Sequence, residues 1–360
     1  MNNSSALTIS HGLCEQAKRI TGTHQMTIIL ALEIVFGVFA VFPNLLTITL
    51  LWRVRVFHLN LRLLLAHFSV DLTLYSITLA EKALRRLVTP VCKLSMYLRP
   101  CIAAEWAYTI PLHNAMLALV VLIVERLYAT VRFGGYDHGS KYPYWAVVLL
   151  ACSWASTLAI QLSNYASTPE GVVVPVCEIG LLANPSHMGS VIATFVSLES
   201  VATVLIVFIF IYNRVLLRRM GTNRSQFNLS SRFQVDQNVR LNVALLPSAI
   251  LHIICYLPNY VFLFFTLINS TPGYVETRAW LVHLSFLWRI FFACVHPVLL
   301  ITLNPNLKKE YRKNRLGRCL CHLFGCHKMN KAVDAVVNST HVTSAHFRYL
   351  EKAWGVMGQN

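Results

Sequence analysis

The chain has 360 residues, of which 56% are hydrophobic and 13% charged, and its mean hydropathy is +0.54. So few polar residues could not cover a soluble globule of this size, which indicates a membrane protein and argues against a soluble enzyme. A net charge of +16 would suggest a nucleic-acid partner on a soluble surface, but the basic residues lie mainly in loops between apolar segments. We therefore predict no nucleic-acid partner.

Seven apolar segments of membrane-spanning length follow one another along the chain. They cover residues 26–52, 60–84, 101–127, 143–165, 188–216, 240–268 and 279–303. The pattern predicts an all-α membrane protein, a bundle of seven helices. The domain division then places an amino terminus at 1–25, the membrane domain at 26–316 with a short amphipathic helix at 305–316, and a flexible tail at 317–360.

The distribution of basic residues predicts the orientation. Lysine and arginine are more frequent in the loops after the first, third and fifth segments, and in the tail, than in the other loops. Cytoplasmic loops carry this excess, so the amino terminus is expected outside the cell. Asn3 begins an Asn-Ser-Ser triplet and is a candidate glycosylation site on that terminus.

The third segment carries the most informative spacing. It begins at Cys101 and ends in Glu125-Arg126-Leu127-Tyr128. At about 1.5 Å per residue, the helix from Cys101 to Arg126 is roughly 37 Å long, which is the hydrocarbon core plus some headgroup depth. One helix would therefore place a thiol at one membrane face and a Glu–Arg pair at the other.

Polar residues within the first two segments are candidates for a functional core. Asn44 lies in the first segment and Asp71 in the second. A carboxylate at mid-membrane is costly and usually faces the bundle interior at a functional position. The alternative is a polar pair that only holds helices together through hydrogen bonds.

Prolines predict bends in the last two segments, because proline lacks the N–H group that a helix interior uses. Pro258 follows Tyr256 in the sixth segment, and Pro297 follows His296 in the seventh. A bend at Pro258 would allow the inner half of the sixth segment to swing.

These motifs resemble those of rhodopsin-like G-protein-coupled receptors. Glu125-Arg126-Leu127-Tyr128 is similar to the family's Asp/Glu-Arg-Tyr, Cys255-Tyr256-Leu257-Pro258 to its Cys-Trp-x-Pro, and His296-Pro297-Val298-Leu299-Leu300 to its Asn-Pro-x-x-Tyr. The positions at which these motifs differ from the rhodopsin-like pattern, together with Asn60-Leu61-Arg62-Leu63-Leu64, resemble the sequences of nematode serpentine chemoreceptors. Within the Sra superfamily, Srab is the first choice, ahead of Sra, Srb and Sre.

The resemblance implies a receptor with no catalytic activity and no cofactor. A small-molecule or peptide ligand would bind from outside, and a heterotrimeric G protein would bind inside. The implied switch residues are Glu125, Arg126, Tyr212, Tyr256, Pro258 and Pro297, although Tyr212 could instead belong to the aromatic belt at the bilayer surface. The implied polar core is Asn44, Asp71 and His296.

Two departures from the family pattern qualify these roles. His296 and Leu300 replace the family's asparagine and tyrosine, which argues against a sodium site beside Asp71. Asn238 stands where an acidic residue would restrain Arg126. We therefore expect Arg126 to depend on Glu125.

Four cysteines lie on the predicted outer side: Cys14, Cys92, Cys101 and Cys177. Disulfides persist outside the cell, and four cysteines permit three pairings. The resemblance implies a Cys101–Cys177 bond, which leaves Cys14–Cys92 as a possible second one.

The tail has a second group of thiols. Cys319 and Cys321 follow the amphipathic helix and are candidates for lipidation, with unmodified thiols as the alternative. A zinc site with nearby histidines is disfavoured, so no metal is predicted.

Aromatic and ionisable residues in the outer halves of the segments form a candidate ligand cavity. They are Glu81, Tyr108, Leu112, His113, Tyr256, Tyr260, Phe286 and Arg289. An unpaired charge at this depth would be costly, so we expect Arg289 to pair with Glu81 or Glu33. The pair could be purely structural, or a ligand could replace one partner.

The predicted mechanism is a population shift, in which ligand binding favours an outward bend of the sixth helix and frees Arg126 for the G protein. The implied location is the plasma membrane, with the cilia of sensory neurons as a candidate site. A rhodopsin-like peptide receptor is the main alternative. A seven-helix transporter or channel is less favoured, because no pair of interrupted helices is visible in the sequence.

Overall fold

The computed structural model describes residues 3–54, 57–131, 144–177, 185–222, 229–268 and 275–313. The chain divides into two units, Met1–Leu300 and Ile301–Asn360, which are described separately. The predicted lipidation sites Cys319 and Cys321 lie outside the described residues.

Helices make up most of the first unit. Its helices are α1 (Asn3–Thr21), α2 (His24–Arg53), α3 (Leu59–Val88), α4 (Leu98–Val131), α5 (Tyr144–Ala166), α6 (Pro185–Thr222), α7 (Leu229–Ile268) and α8 (Val275–Leu303). Two short strands, β1 (Met96–Tyr97) and β2 (Val173–Val174), pair antiparallel with Met96 opposite Val174. A 3₁₀ turn at Val91–Lys93 lies between α3 and β1.

Among the described residues, seven helices, α2 to α8, are long and apolar enough to cross a membrane. The predicted all-α bundle of seven spans is therefore confirmed. Several helices extend beyond the apolar segments. For example, α6 continues to Thr222 and α7 begins at Leu229, because backbone hydrogen bonding continues past the point where side chains become polar.

The outer faces of these helices carry large apolar side chains. Phe39, Val204 and Phe208 are each at least 60% exposed. A soluble protein would bury such a surface, whereas lipid tails solvate it without cost. The buried faces are more polar than the outer ones, which is the pattern of a multi-pass membrane protein.

Helices α2 and α3 approach each other closely at Gly37. A β-carbon on Gly37 would lie 2.9 Å from the carbonyl oxygen of Ser76 and 3.0 Å from the β-carbon of Ala80. Real β-carbons do not approach backbone oxygens so closely. Small residues let membrane helices pack backbone to backbone, and Gly37 allows it here.

Two disulfides join elements at one end of the bundle, which we call the disulfide end. Cys101 at the start of α4 bonds to Cys177, and Cys14 in α1 bonds to Cys92 in the 3₁₀ turn. The opposite end carries Arg126 and is called the Arg126 end.

Helix α1 belongs to the disulfide end. Ala17 and Ile20 on α1 pack in one apolar cluster with Met26, Ala83 and Val176 from neighbouring elements. The sequence analysis assigned residues 1–25 only as an amino terminus and did not predict this helix, because α1 has little overall hydrophobicity. Its one apolar face is held by packing and by the Cys14–Cys92 bond.

In the second unit, the described structure is helix α9 (Pro305–Lys313). The Oδ1 atom of Asn304 accepts hydrogen bonds from the backbone N–H groups of Asn306 and Leu307, each at 3.1 Å, and caps the helix. The helix lies within the predicted range 305–316 and ends at Lys313, the last described residue.

Candidate functional site

At the Arg126 end, a buried ion pair forms within α4. The Nε atom of Arg126 donates to Oε2 of Glu125 at 2.5 Å, and a second guanidinium nitrogen donates to Oε1 at 2.6 Å. A further nitrogen donates to Oδ1 of Asn238 on α7 at 3.3 Å. Both charged side chains are almost fully buried. The contact with Glu125 that the sequence led us to expect is present, and the amide of Asn238 also links Arg126 to α7.

Neighbouring residues join α4 to α6 at the same end. The amide of Asn213 donates to Oγ1 of Thr130 at 3.0 Å, and Asn213 is buried. The adjacent Tyr212 is 45% exposed, and its ring stacks on Phe208 of the same helix. In this arrangement Tyr212 faces outward as an aromatic-belt residue would, and Asn213 makes the contact between helices.

The middle of the bundle holds the predicted polar core. The Nδ2 atom of Asn44 donates to the carbonyl oxygens of Ala40 and Ala293 at 2.8 and 2.9 Å, which ties α2 to α8. Oδ2 of Asp71 lies 2.9 Å from Nδ1 of His67, and Nε2 of His67 accepts from Trp154 at 2.8 Å. An imidazole thus occupies one side of the Asp71 carboxylate, consistent with the departures noted against a sodium site.

His296 lies deeper in the same core. Its Nδ1 contacts the hydroxyl of Ser248 on α7, and its ring packs 4.7 Å from that of Phe68 and 5.3 Å from that of Phe292. A small cavity here, lined by these four side chains together with His252 and apolar residues of α4, α6 and α7, has room for about one water molecule.

Above this cavity, aromatic side chains of α7 and α8 stack. The rings of His252 and Tyr256 are 4.0 Å apart and nearly parallel, and Phe292 packs edge-on against both. Pro258 lies one half-turn further along α7, within the continuous helix. Pro297 is likewise inside α8.

Ion pairs near the disulfide end hold α3, α4 and α8 together. Nζ of Lys82 lies 2.8 Å from Oε2 of Glu105 and 4.2 Å from the ring centroid of Tyr108, whose hydroxyl also donates to Glu105. His283 lies between two charges, with Nδ1 2.7 Å from Oε1 of Glu33 and Nε2 2.6 Å from a guanidinium nitrogen of Arg86.

The sequence predicted that Arg289 pairs with Glu81 or with Glu33, and both predictions are wrong. Glu33 pairs with His283, and Glu81 pairs with Arg85 at an exposed position one turn away. Glu81 faces away from the bundle interior and does not line a cavity. The reason is helix periodicity, because Glu81 and the inward-facing Lys82 are neighbours in sequence and lie about 100° apart around α3.

The other predicted cavity residues lie in or near one buried region. Phe286 contacts the ring of Tyr108 at 5.7 Å and the guanidinium of Arg289 at 5.5 Å. His113 stacks on Phe195 and its Nδ1 lies 2.9 Å from the amide nitrogen of Gln161. The remaining members, Leu112, Tyr256 and Tyr260, are buried.

Two further residues of this region were not assigned to the cavity from the sequence. Glu199 on α6 and His252 on α7 are buried, with Oε1 of Glu199 3.8 Å from Nδ1 of His252. Arg289 is close enough to act electrostatically on Glu199. The sequence contained a signal for His252, because His252 precedes Tyr256 by four residues and therefore lies on the same face of the helix.

Comparison with known proteins decides the family. The sequence signature of the family described as "Serpentine type 7TM GPCR receptor class ab chemoreceptor" matches residues 12–314. The chain belongs to this family. The resemblance to Srab receptors inferred from the motifs is thereby confirmed.

This serpentine receptor is also similar to "Serpentine receptor class alpha/beta-14" of Caenorhabditis elegans. The two sequences are 25% identical over 253 residues, which cover 67% of this chain and 63% of the relative. The chain thus matches a little under two thirds of the length of that relative.

Proposed function

We propose that this serpentine receptor binds a chemical ligand in the buried region near the disulfide end and activates a heterotrimeric G protein at the Arg126 end. Family membership supports a chemosensory role. The main observation in favour of the coupling site is the buried Arg126, which pairs with Glu125 on its own helix α4 and contacts Asn238 on α7. The receptor would lie in the plasma membrane of a sensory neuron, including its cilia, with the amino terminus outside.

The resting state is stabilised by the contacts of Arg126. A guanidinium buried beside a carboxylate and an amide is satisfied, and it is unavailable to a partner. The link to Asn238 is long, at 3.3 Å, and has no opposite charge. It is therefore the weaker contact, and α7 can separate from α4 there without leaving a buried charge unpaired.

The bundle interior provides a route for the conformational change. Tyr256 and His252 stack between the ligand region and the small cavity beside His296. A ligand that contacts this stack differently in two states will shift the population between them. The bend at Pro258 would then move the inner half of α7 outward, using the cavity to repack Phe292 and His252.

The partner contact would follow the general helix-in-groove mode. Outward movement of α7 would separate Asn238 from Arg126 and open a crevice between α4, α6 and α7, into which a helix of the G protein could insert. The serpentine receptor supplies no catalytic group in this scheme, and nucleotide exchange would occur on the partner.

The test uses purified full-length receptor in nanodiscs with GDP-bound heterotrimeric G proteins. Arg126→Ala should abolish receptor-dependent nucleotide exchange, because it removes the group freed for the partner. Glu125→Gln should raise basal exchange, because it removes the charge that retains Arg126. Arg85→Ala, an exposed arginine at the opposite end, should behave as wild type. Normal exchange with Arg126→Ala at equal receptor density would contradict the proposal.

A further inference from the structure

Several buried charged side chains near the disulfide end are paired with one another. Lys82 is paired with Glu105, and His283 lies between Glu33 and Arg86. Arg86 also donates to the carbonyl oxygen of Cys177, beside the disulfide. These groups pair with one another across α2, α3, α4 and α8, and Oε2 of Glu33 is the atom of this set that has no hydrogen-bond partner among the described residues. Because each charged group already has an oppositely charged or polar partner, we treat the set as structural.

A second set of polar side chains lies deeper. Arg289 is six residues beyond His283 on α8, which places it about 9 Å further from the disulfide end. It shares this level with Glu199, His252 and Tyr256, and we call these four residues the core polar cluster. All four are buried, with exposures of 4%, 4%, 0% and 0% for Arg289, Glu199, His252 and Tyr256.

The core polar cluster is not satisfied by the described part of the protein. Buried polar atoms without a hydrogen-bond partner there include Nε of Arg289, Oε1 of Glu199, both ring nitrogens of His252 and the hydroxyl of Tyr256. Such atoms are rare in native structures and each requires an explanation. They come from three different helices and belong to one electrostatically connected group.

The contact of Arg289 with Phe286 does not offset its burial. The guanidinium lies 5.5 Å from the ring centroid, and a cation–π interaction of this kind stabilises a cation by less than burial at membrane depth destabilises it. An additional anion beside Arg289 would compensate for the difference.

The charge balance indicates the chemical class of the missing group. Arg289 and Glu199 carry opposite charges, so the core polar cluster is neutral as a whole when both are ionised. A simple anion would satisfy Arg289 and leave the site negative beside Glu199, and a simple cation would have the opposite effect. A molecule with one group of each sign satisfies both residues and preserves neutrality.

We propose that the core polar cluster binds a small zwitterionic molecule of the amino-acid class, with its carboxylate on Arg289 and its ammonium group on Glu199. His252 and the Tyr256 hydroxyl supply further hydrogen bonds. Because Tyr256 stacks on His252 next to the central cavity, the ligand contacts the part of α7 that the conformational change must move. This inference rests on the proposed function, since it takes the same region as the ligand site.

The test measures thermal stability of full-length receptor in nanodiscs with linear ω-amino acids from glycine to 6-aminohexanoate. Each is compared with the matched alkyl carboxylate and the matched alkylamine at equal concentration and ionic strength. At least one amino acid should raise the melting temperature by more than its acid and amine together. Arg289→Gln and Glu199→Gln should each reduce its affinity about tenfold or more, as expected for losing a hydrogen-bonded charge.

Arg85→Gln is the matched control, because this arginine is exposed and paired with Glu81. It should retain the full amino-acid effect. If no amino acid exceeds the combined effect of its acid and amine, or if the excess survives in Arg289→Gln, the assignment is overturned and ordered water satisfies the core polar cluster.

The failure of this inference is distinguishable from that of the proposed function. Nucleotide exchange that depends on Arg126, in a receptor that shows no amino-acid excess, would overturn the ligand class alone. An amino-acid excess in a receptor without Arg126-dependent exchange would overturn G-protein coupling and support the binding site.

Discussion

Two ion pairs that involve α3 illustrate how burial determines the contribution of an ion pair to stability. Lys82 and Glu105 have side-chain exposures of 13% and 5%, whereas Arg85 and Glu81 have 74% and 50%. Water screens the exposed pair and competes for its hydrogen bonds, so it contributes little. Removing one member of the buried pair leaves the other charge without compensation.

Lys82→Met is therefore expected to destabilise the receptor by about 3–5 kcal/mol, because Glu105 stays buried and loses its cation. The melting temperature of detergent-solubilised receptor measures the effect. Arg85→Met, on the same helix, should change stability by about 1 kcal/mol or less. The double variant Lys82→Met, Glu105→Leu should recover much of the loss. Equal effects of Lys82→Met and Arg85→Met would disprove this difference.

At the scale of helices, close packing of α2 on α3 depends on the absence of a side chain. The α2 sequence around Gly37 is apolar on all sides, so hydrophobic pattern alone does not choose which face meets α3. The missing side chain at Gly37 determines which face of α2 meets α3, because it lets the α2 backbone approach the carbonyl of Ser76. Shape complementarity, rather than hydrophobicity, orients helices within lipid.

Gly37→Ala should lower the stability of the receptor by about 1–3 kcal/mol, since the added methyl group overlaps Ser76 and Ala80 and forces the helices apart. Thermal unfolding measured by size-exclusion after heating would detect it. Gly12→Ala is the control, because a β-carbon on Gly12 in α1 meets nothing within 4 Å. That change should be neutral or slightly stabilising. A Gly37→Ala protein as stable as wild type would contradict the packing described here.

At the scale of the whole molecule, the disulfides and the basic loops together predict the orientation in the membrane. Disulfides form on the oxidising side of a membrane, and both described disulfides lie at one end of the bundle. The basic loops predict the same orientation, with α1 and the disulfide end outside. The two arguments are independent, since one uses redox chemistry and the other uses charge.

The orientation can be tested with a membrane-impermeant maleimide on intact cells. Cys92→Ser frees the thiol of Cys14, and this variant should be labelled, whereas the double variant Cys14→Ser, Cys92→Ser should not. Wild-type receptor should also remain unlabelled on intact cells, because its outer cysteines are bonded. Labelling of all three proteins on intact cells would contradict this orientation, because seven spans place the tail thiols, such as Cys319 and Cys321, outside when the amino terminus lies inside.

The sequence by itself determined the architecture of this protein. Seven long apolar segments were sufficient for the fold, because bilayer thickness fixes helix length and permits few alternatives. The family followed from short motifs, Asn60-Leu61-Arg62-Leu63-Leu64 and Glu125-Arg126-Leu127-Tyr128, and from the departures at His296 and Leu300. The dependence of Arg126 on Glu125 was also predictable, since the two residues are adjacent in the chain.

Only the tertiary structure decided which side chains face one another. The sequence offered Glu33 and Glu81 as partners of Arg289, and neither contacts it. Glu199 and Tyr256 come close enough to interact electrostatically with Arg289 because α6, α7 and α8 pack in one particular rotation. In a membrane helix the hydrophobic pattern fixes that rotation weakly, since lipid-facing and buried faces are both apolar. The rotation follows instead from packing, as at Gly37, and from buried polar contacts that join residues distant in sequence.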